Sequence, residues 1–331
     1  MSPSNPIVLL LTHSGDFFTV DRVAAALSHR GAKPFRLDTD LFPSEIQLSA
    51  AFTQEGLSHQ IRYGHQSIAV KDIHSVWMRK IWQPKLSPDL DKRFQPGCIR
   101  ESHAALKGFL DALAPVKWLD PLEHISAAGN KLRQLRVARQ VGLPIPPTLV
   151  TNDPQEAQDF FQALKGNVVA KMLTPLSYGM GGSAFFVYTS PVTQADLANA
   201  EGLRHSPMVF QAAIPKQQEL RIIYVGGQCF VGALEAAHYA DETLDWRRTK
   251  SQPTVWLKDR LPAEVTQQVK SLMAEFGLSF GAIDMIRTPT GEHIFLEVNP
   301  CGEWGMLERD LDYPISDAIA DVLLSGFGAV A

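Results

Sequence analysis

The stretch GAIDMIRTPTGEHIFLEVNP, residues 281–300, decides how this chain is read, because it sets two acids and an amide into otherwise apolar runs. Its central TPTGE is a turn signal between residues of high strand propensity, which predicts a β-hairpin. A turn centred between Thr290 and Gly291 makes Asp284 and Glu297 direct cross-strand partners. Opposed residues of a ladder hold their Cβ atoms roughly 4.5–5.5 Å apart, and like charges placed there destabilise the pair. Something positive is therefore expected between them. Asn299, two residues beyond Glu297, falls on the same strand face. Three hard oxygen donors on one face suit Mg²⁺, which takes one or two carboxylates and completes its shell with water and substrate phosphates. The plainer alternative is a pair of solvated acids on an edge hairpin. The flanking Ile283, Met285, Ile286, Phe295, Leu296 and Val298 argue against it.

Composition limits what surrounds that site. The chain has 331 residues, 45% of them hydrophobic, enough for two or three lobes with a substantial core. A formal charge of −4 and the lack of a long Lys/Arg run speak against nucleic acid as a partner. No apolar stretch approaches 18 residues, and the N-terminal apolar run has neither a basic flank nor a small-residue cleavage site, so a cytoplasmic protein with no membrane partner is expected. Cys98, Cys229 and Cys301 are odd in number and widely spaced, which supports neither a disulfide framework nor a zinc knuckle.

Along the chain, PIVLLLTH reads as a strand, FFTVDRVAAALSHRG as an amphipathic helix ending at Gly31, and KPFRLDTD as a second strand. That is a β-α-β opening. It carries no G-x-G-x-x-G and no G-x-S-x-G elbow, so neither a dinucleotide nor a serine nucleophile is assigned to it. HSVWMRKIWQP is a further strand or its exit, with Arg79 and Lys80 either facing substrate or solvated. A helical stretch over 98–113 follows. The pattern changes near residue 120, where NKLRQLRVARQVGLPIPPTLVTND reads as a helix closed by Gly142 and then a Pro-rich crossing. The expected division is 1–120, 121–206 and 207–331.

The second segment supplies groups for holding a phosphate chain. Lys171 lies inside the apolar strand GNVVAKML, where a lysine is costly unless it meets an anion, and Lys131 lies in the helix beginning GNKLRQL. SYGMGGS, residues 177–183, has three glycines that let backbone amides approach phosphate oxygens, although a hairpin tip is the commoner reading of such a loop. The third segment, from MVFQAAI, places Glu219 and Arg221 on one strand face and turns at Gly226 and Gly227. Arg247 and Arg248 in DWRR are either a solvated pair or a cationic clamp. Lysines and a glycine-rich flap over phosphates, with arginines and metal ions neutralising charge, form a scheme for phosphoryl transfer.

In the order and spacing of Lys131, Lys171, the flap, MVFQAAI, ELR and D…E-V-N, the chain resembles the ATP-grasp ligases. More narrowly, FRLDTDLFPSEI, VWMRKIW, QELRIIYV, LDWRR and LEVNPCGEWGMLERDLDYPISDAIADVL look like the ATP-grasp maturases that macrocyclise microviridin-type precursor peptides. The resemblance implies an α/β (α+β) ATP-grasp fold with an N-terminal β-α-β pre-ATP-grasp domain. It also implies ATP and Mg²⁺ as cofactors and a precursor peptide with a leader segment as partner, and it leaves a homodimer open.

The chemistry implied is transfer of the γ-phosphoryl of ATP to an Asp or Glu side chain, followed by attack of the peptide's own Lys amine, or of a Thr or Ser hydroxyl, on the acyl phosphate. Arg221 and Arg248 would stabilise the transferring phosphoryl. Lys131 and Lys171 would grip the α- and β-phosphates, the backbone from Gln211 to Ile214 would meet adenine, and Glu219 the ribose. Leader contacts would come from Asp196 and Asn199, although Ala195 stands where some relatives carry an acid. Arg79 and Arg247 are further candidates for the substrate. The family impression leans to the amide-forming type, for which Glu303, Glu308, Asp310 and Asp312 are candidate bases or a solvated acidic loop. A small amino-acid ligase and a nucleotide-binding module without chemistry are the competing functions.

Overall fold

The computed structural model describes residues 5–173, 189–236 and 255–326. The chain opens with β1 (Ile7–Thr12), α1 (Thr19–His29) and β2 (Lys33–Asp38). An antiparallel side sheet of β3 (Ile46–Thr53), β4 (Gly56–Tyr63) and β5 (Gln66–Ala69) precedes β6 (Ile73–Met78), α2 (Gln95–Asp111) and β7 (Lys117–Trp118). The main N-terminal sheet runs β2-β1-β6-β7 with every neighbouring pair parallel. Five of the six residues of β1 are buried, as a parallel strand covered on both faces requires. Gly31, at φ +78°, supplies the left-handed step that ends α1.

Two short helices follow, α3 (Leu122–Ala128) and α4 (Lys131–Gln140). The Asn130 side chain caps α4 by accepting from the Arg133 N–H at 3.0 Å. A small sheet then forms from β8 (Thr148–Thr151), β9 (Val168–Lys171), β10 (Ser190–Pro191) and β11 (Met208–Ala212), packed on α5 (Pro154–Ala163) and α6 (Gln194–Ala198). The last lobe is a five-stranded antiparallel sheet in the order β14-β13-β12-β15-β16. Its elements are β12 (Gln218–Val225), β13 (Gln228–Glu235), β14 (Leu257–Asp259), α7 (Ala263–Phe276), β15 (Phe280–Arg287), β16 (His293–Asn299), α8 (Gly305–Leu311) and α9 (Ile315–Leu324).

The packing differs from the sequence division in two places. The strand β11, expected to open the third segment, pairs with both β8 and β9 in the small sheet. Helix α4, expected in the middle segment, packs on the last lobe, where Val137 and Ala138 share a core with Leu220, Ile222, Val269 and Phe295. The N-terminal sheet and α1 also share a core with that lobe: Val8 of β1 and Val20, Val23 and Leu27 of α1 cluster with Ile223, Trp304, Ile315 and Ile319. The first and last thirds of the chain thus share one core beside a separate cluster in each, and the small sheet has its own cluster. No helix among the described residues is long and apolar enough to cross a membrane.

Candidate nucleotide and metal site

Three neighbouring strands carry one polar rung. Arg221 on β12 is the direct partner of Asp284 on β15, and Asp284 is the direct partner of Glu297 on β16. The Asp284–Glu297 pairing has the expected register, but it arises differently. The loop closes on a Thr288 N–H to Glu292 carbonyl bond of 2.9 Å, with Gly291 at φ +86°, so Pro289, Thr290 and Gly291 form a three-residue turn rather than a two-residue one. That shifts the hairpin by one residue, Met285 facing Phe295, and a bulge leaving Leu296 without a direct partner restores Asp284 opposite Glu297.

Two cations already answer the facing acids. Arg221 donates from one terminal nitrogen to both oxygens of Asp284, at 2.8 and 3.0 Å. Lys131, at the first helical position of α4, ion-pairs with Glu297. The two acids keep about a third of their side-chain surface exposed, 32% for Asp284 and 28% for Glu297, so they are open to solvent rather than sealed in the core. Asn299 ends β16 in an exposed position, its side-chain oxygen accepting from the Cys301 N–H at 3.0 Å. Among the described residues no three His, Cys, Asp or Glu side chains gather. Two carboxylates and one amide oxygen on one strand face fit Mg²⁺, which would complete its shell with water and phosphate.

Lys171, on β9 of the small sheet, lies within reach of the charges of Glu297, Lys131 and Asp284. Its ammonium donates to the Gln211 side-chain oxygen at 3.0 Å. Burial holds its pKa below the usual lysine value, and the charges of Glu297 and Asp284 partly offset that. Gln211 is itself buried and donates onward to the Thr148 hydroxyl at 2.8 Å, so its side chain fixes Lys171 while its backbone leads to Ala213 and Ile214. Glu219 lies two residues before Arg221 on β12 and ion-pairs with Lys216. Lys131, Lys171, Arg221, Asp284 and Glu297 are thus neighbours by contact or by charge, with Glu219 and Asn299 two residues along the faces of β12 and β16 that carry Arg221 and Glu297.

The remaining sequence candidates divide. The glycine-rich stretch 177–183 and both Arg247 and Arg248 lie outside the described residues. Asp196 on α6 and Asn199 at its C-terminal end are exposed, but Asp196 closes a capping box with Thr193, accepting from its N–H at 2.8 Å and hydroxyl at 2.7 Å, and Asn199 donates to the Ala195 carbonyl. Arg79 is neither solvated nor turned outward: it is 1% exposed and donates to the Cys301 carbonyl and the Glu303 carboxylate, each at 2.5 Å. Glu308 is no free base, since it is buried and accepts from the Ser316 N–H and hydroxyl at 2.7 and 2.9 Å. Glu303 binds Arg79 with one oxygen and the Trp304 and Gly305 N–H groups with the other. Asp310 pairs with its neighbour Arg309, and Asp312 stands exposed in a left-handed conformation at the end of α8.

Gln134 was not among the expected site residues. It is buried, donates to the carbonyls of Ala128 and Val298 at 2.6 and 2.8 Å, and accepts from the Val298 N–H at 3.0 Å. It thereby grips β16 between Glu297 and Asn299. Its signal in the sequence is a polar member of the buried i, i+3, i+4 stripe Gln134, Val137, Ala138.

Residues 7–126 match the family model described as the MvdD pre-ATP grasp domain. No curated protein matches the chain. Among solved structures, the macrocyclase MdnB from Microcystis aeruginosa MRC is 54% identical over 97% of this chain and 100% of its own, with a TM-score of 0.82. The macrocyclase MdnC of the same source, bound with precursor peptide MdnA, is 37% identical over 96% of this chain and 99% of its own, with a TM-score of 0.85. A Chryseobacterium gregarium RiPP-associated ATP-grasp ligase, in complex with ADP and a leader and core peptide, is 29% identical over 96% of each chain, with a TM-score of 0.88. Identity at this level over nearly the whole length shows that the chain belongs to the microviridin-type (graspetide) ATP-grasp macrocyclases and is an ATP-dependent ligase.

Proposed function

We propose that this ligase macrocyclises a ribosomally made, microviridin-type precursor peptide, activating Asp or Glu side chains as acyl phosphates and closing them onto a Lys amine as lactams. The observation that carries it is the rung Arg221–Asp284–Glu297 with Lys131 at its end, which sets two cations and two carboxylates side by side. Two relatives bound to precursor, leader or core peptides support a peptide substrate.

Asp284, Glu297 and Asn299 are the residues that would hold Mg²⁺, whose chemistry is to neutralise charge on the β- and γ-phosphate oxygens. Lys131 and Lys171 would receive the α- and β-phosphates, each leaving a protein acceptor for a phosphate oxygen. Glu219 would accept from the ribose hydroxyls, and the backbone of Gln211 to Ile214 would border adenine. An oxygen of the substrate carboxylate attacks the γ-phosphorus as the bond to ADP breaks. Arg221, and Arg248 in the same role, would stabilise the charge spread over the transferring group. The amine then attacks the acyl carbon, the C–O bond breaks, and phosphate leaves. Glu303 and Glu308 are engaged elsewhere, so we assign the amine's proton to the departing phosphate rather than to either acid. Leader contacts are assigned to the exposed face of α6 at Asp196 and Asn199, with Arg247 on the substrate side.

The test is mass spectrometry after incubation with ATP and Mg²⁺. A precursor already carrying its esters should lose one further water, mapped to a Lys–Glu or Lys–Asp link. Water loss at Thr or Ser of an unmodified precursor would instead make the chain an ester-former. ADP release with free amino acids alone would make it a small-substrate ligase.

A further inference from the structure

The loop that follows the candidate metal ligand Asn299 is held from the far side by the N-terminal domain. Arg79 leaves β6 and extends its ladder, its backbone N–H donating to Leu11 at 2.9 Å. Its guanidinium is almost wholly buried, which is costly unless every donor is answered. One terminal nitrogen meets the Cys301 carbonyl, the other meets the Glu303 carboxylate, and Asp16 lies 3.9 Å from Nε. The partners are 222 and 224 residues away in sequence.

The contacts with Cys301 and Glu303 pass directly to site residues. The Cys301 N–H donates to the side-chain oxygen of Asn299, so fixing Cys301 orients that amide. The Glu303 carbonyl accepts from the second terminal nitrogen of Arg221 at 2.8 Å, while the first binds Asp284. Glu303 also ties down the start of α8 through the Trp304 and Gly305 N–H groups. The loop between them has no slack: a Cβ on Gly302 would overlap the Ala282 Cβ and sit 3.1 Å from a nitrogen of Arg221.

We propose that Arg79 and Glu303 are positioning residues of this enzyme, a clamp from the N-terminal domain that sets Arg221 and Asn299 for phosphoryl transfer. The assignment rests on the reaction proposed above. It gives Arg79 a task other than binding substrate and Glu303 a task other than deprotonating an amine. A clamp of this kind acts on turnover rather than on precursor affinity, because Arg79 is 1% exposed and both oxygens of Glu303, though its side chain is half exposed, are engaged by Arg79 and by the start of α8.

The experiment compares Arg79→Lys, Arg79→Met, Glu303→Gln and the double variant Arg79→Met/Glu303→Gln in the full-length chain. Steady-state kcat and KM are measured for precursor and for ATP, alongside thermal unfolding. Each single variant should lose on the order of 10–100-fold in kcat, as removal of a group that orients a ligand typically does. KM for precursor should stay unchanged, and the double variant should fall no further than the worse single one. Arg79→Lys keeps the charge but reaches only one partner, so it should not restore kcat. If the arginine variants fail to fold, the isosteric Glu303→Gln decides. A raised precursor KM with kcat retained overturns the proposal in favour of substrate contact, and a kcat loss that merely tracks the unfolded fraction overturns it in favour of plain stability. Wild-type enzyme that turns over only free amino acids defeats the peptide reading, and the same kcat comparison is then made with that substrate.

Discussion

Lys131 on α4 and Glu297 on β16, 166 residues apart in sequence, meet as an ion pair at one end of the Arg221–Asp284–Glu297 rung. The like charges of Asp284 and Glu297 are thus each matched by a cation of the protein. In the function proposed above, nucleotide entry would exchange partners, phosphate oxygens taking the lysine and Mg²⁺ the carboxylates. A site that is charge-balanced before and after binding avoids the cost of facing carboxylates left uncompensated at ladder distance.

Glu297→Gln should abolish ADP formation and leave the fold intact. The amide keeps the shape but removes a charged ligand. Both members of the Lys131 pair retain about a quarter of their side-chain exposure, 25% and 28%, and such pairs contribute less than about 1 kcal/mol. The check is ADP release across a Mg²⁺ titration with thermal unfolding in parallel. Near wild-type turnover at saturating Mg²⁺ would remove Glu297 from the metal site.

Arg221→Ala should lose on the order of 10²–10³ in kcat, as loss of one preorganised donor to a transition state typically does. ATP affinity should change far less. Arg221→Lys should recover little, because the guanidinium spans Asp284 and the Glu303 carbonyl with two nitrogens and an ammonium cannot. Equal collapse of ATP binding, measured by calorimetry, would make Arg221 a binding residue.

Gly302→Ala should be destabilising by about 1–3 kcal/mol, the usual range for overpacking. The added methyl overlaps the Ala282 Cβ, a β-carbon fixed to strand backbone that cannot swing aside. Because the same methyl also crowds Arg221, kcat should fall in protein that remains folded. Urea denaturation and ADP release measure the two effects separately, and an unchanged kcat would show that the loop tolerates displacement.

The hairpin was legible because its turn chemistry and alternation are local, and Asp284 and Glu297 paired as expected even though the turn holds three residues and a bulge at Leu296 returns the register. Strand pairing over distance was not legible: β11 begins a new apolar run, and nothing in MVFQA states that its partners are β8 and β9 rather than β12. Arg79 shows the same limit. VWMRKIW presents a cation at a strand exit, where solvent is the ordinary destination, and the acid that buries it lies beyond β16. Glu308 looked like one of a run of loop acids, yet it serves the start of α9 through Ser316. In each case a local motif identified the group and only the tertiary partner fixed its task.

The junction between the N-terminal domain and the last lobe should carry a pH signature through Asp120. This acid is buried and accepts from the Ser279 and Phe280 N–H groups at 2.5 and 3.0 Å, joining β7's exit to the start of β15. Burial raises its pKa from 3.8 to about 7, with the two backbone bonds pulling the other way. Between those values the folded chain holds a proton that the unfolded chain has released, so stability from this group is full below pH 3.8 and is lost as pH rises through about 7. Asp120→Asn removes that dependence while keeping one oxygen acceptor. Urea midpoints for wild type and variant, measured from pH 4 to 8, should show the wild type's advantage shrinking with rising pH. The change should be a few kcal/mol at most, since a tenfold difference in proton affinity between folded and unfolded chain is worth about 1.4 kcal/mol. An advantage that grows with pH would mean that the two backbone donors outweigh burial and that Asp120 joins the domains as a carboxylate.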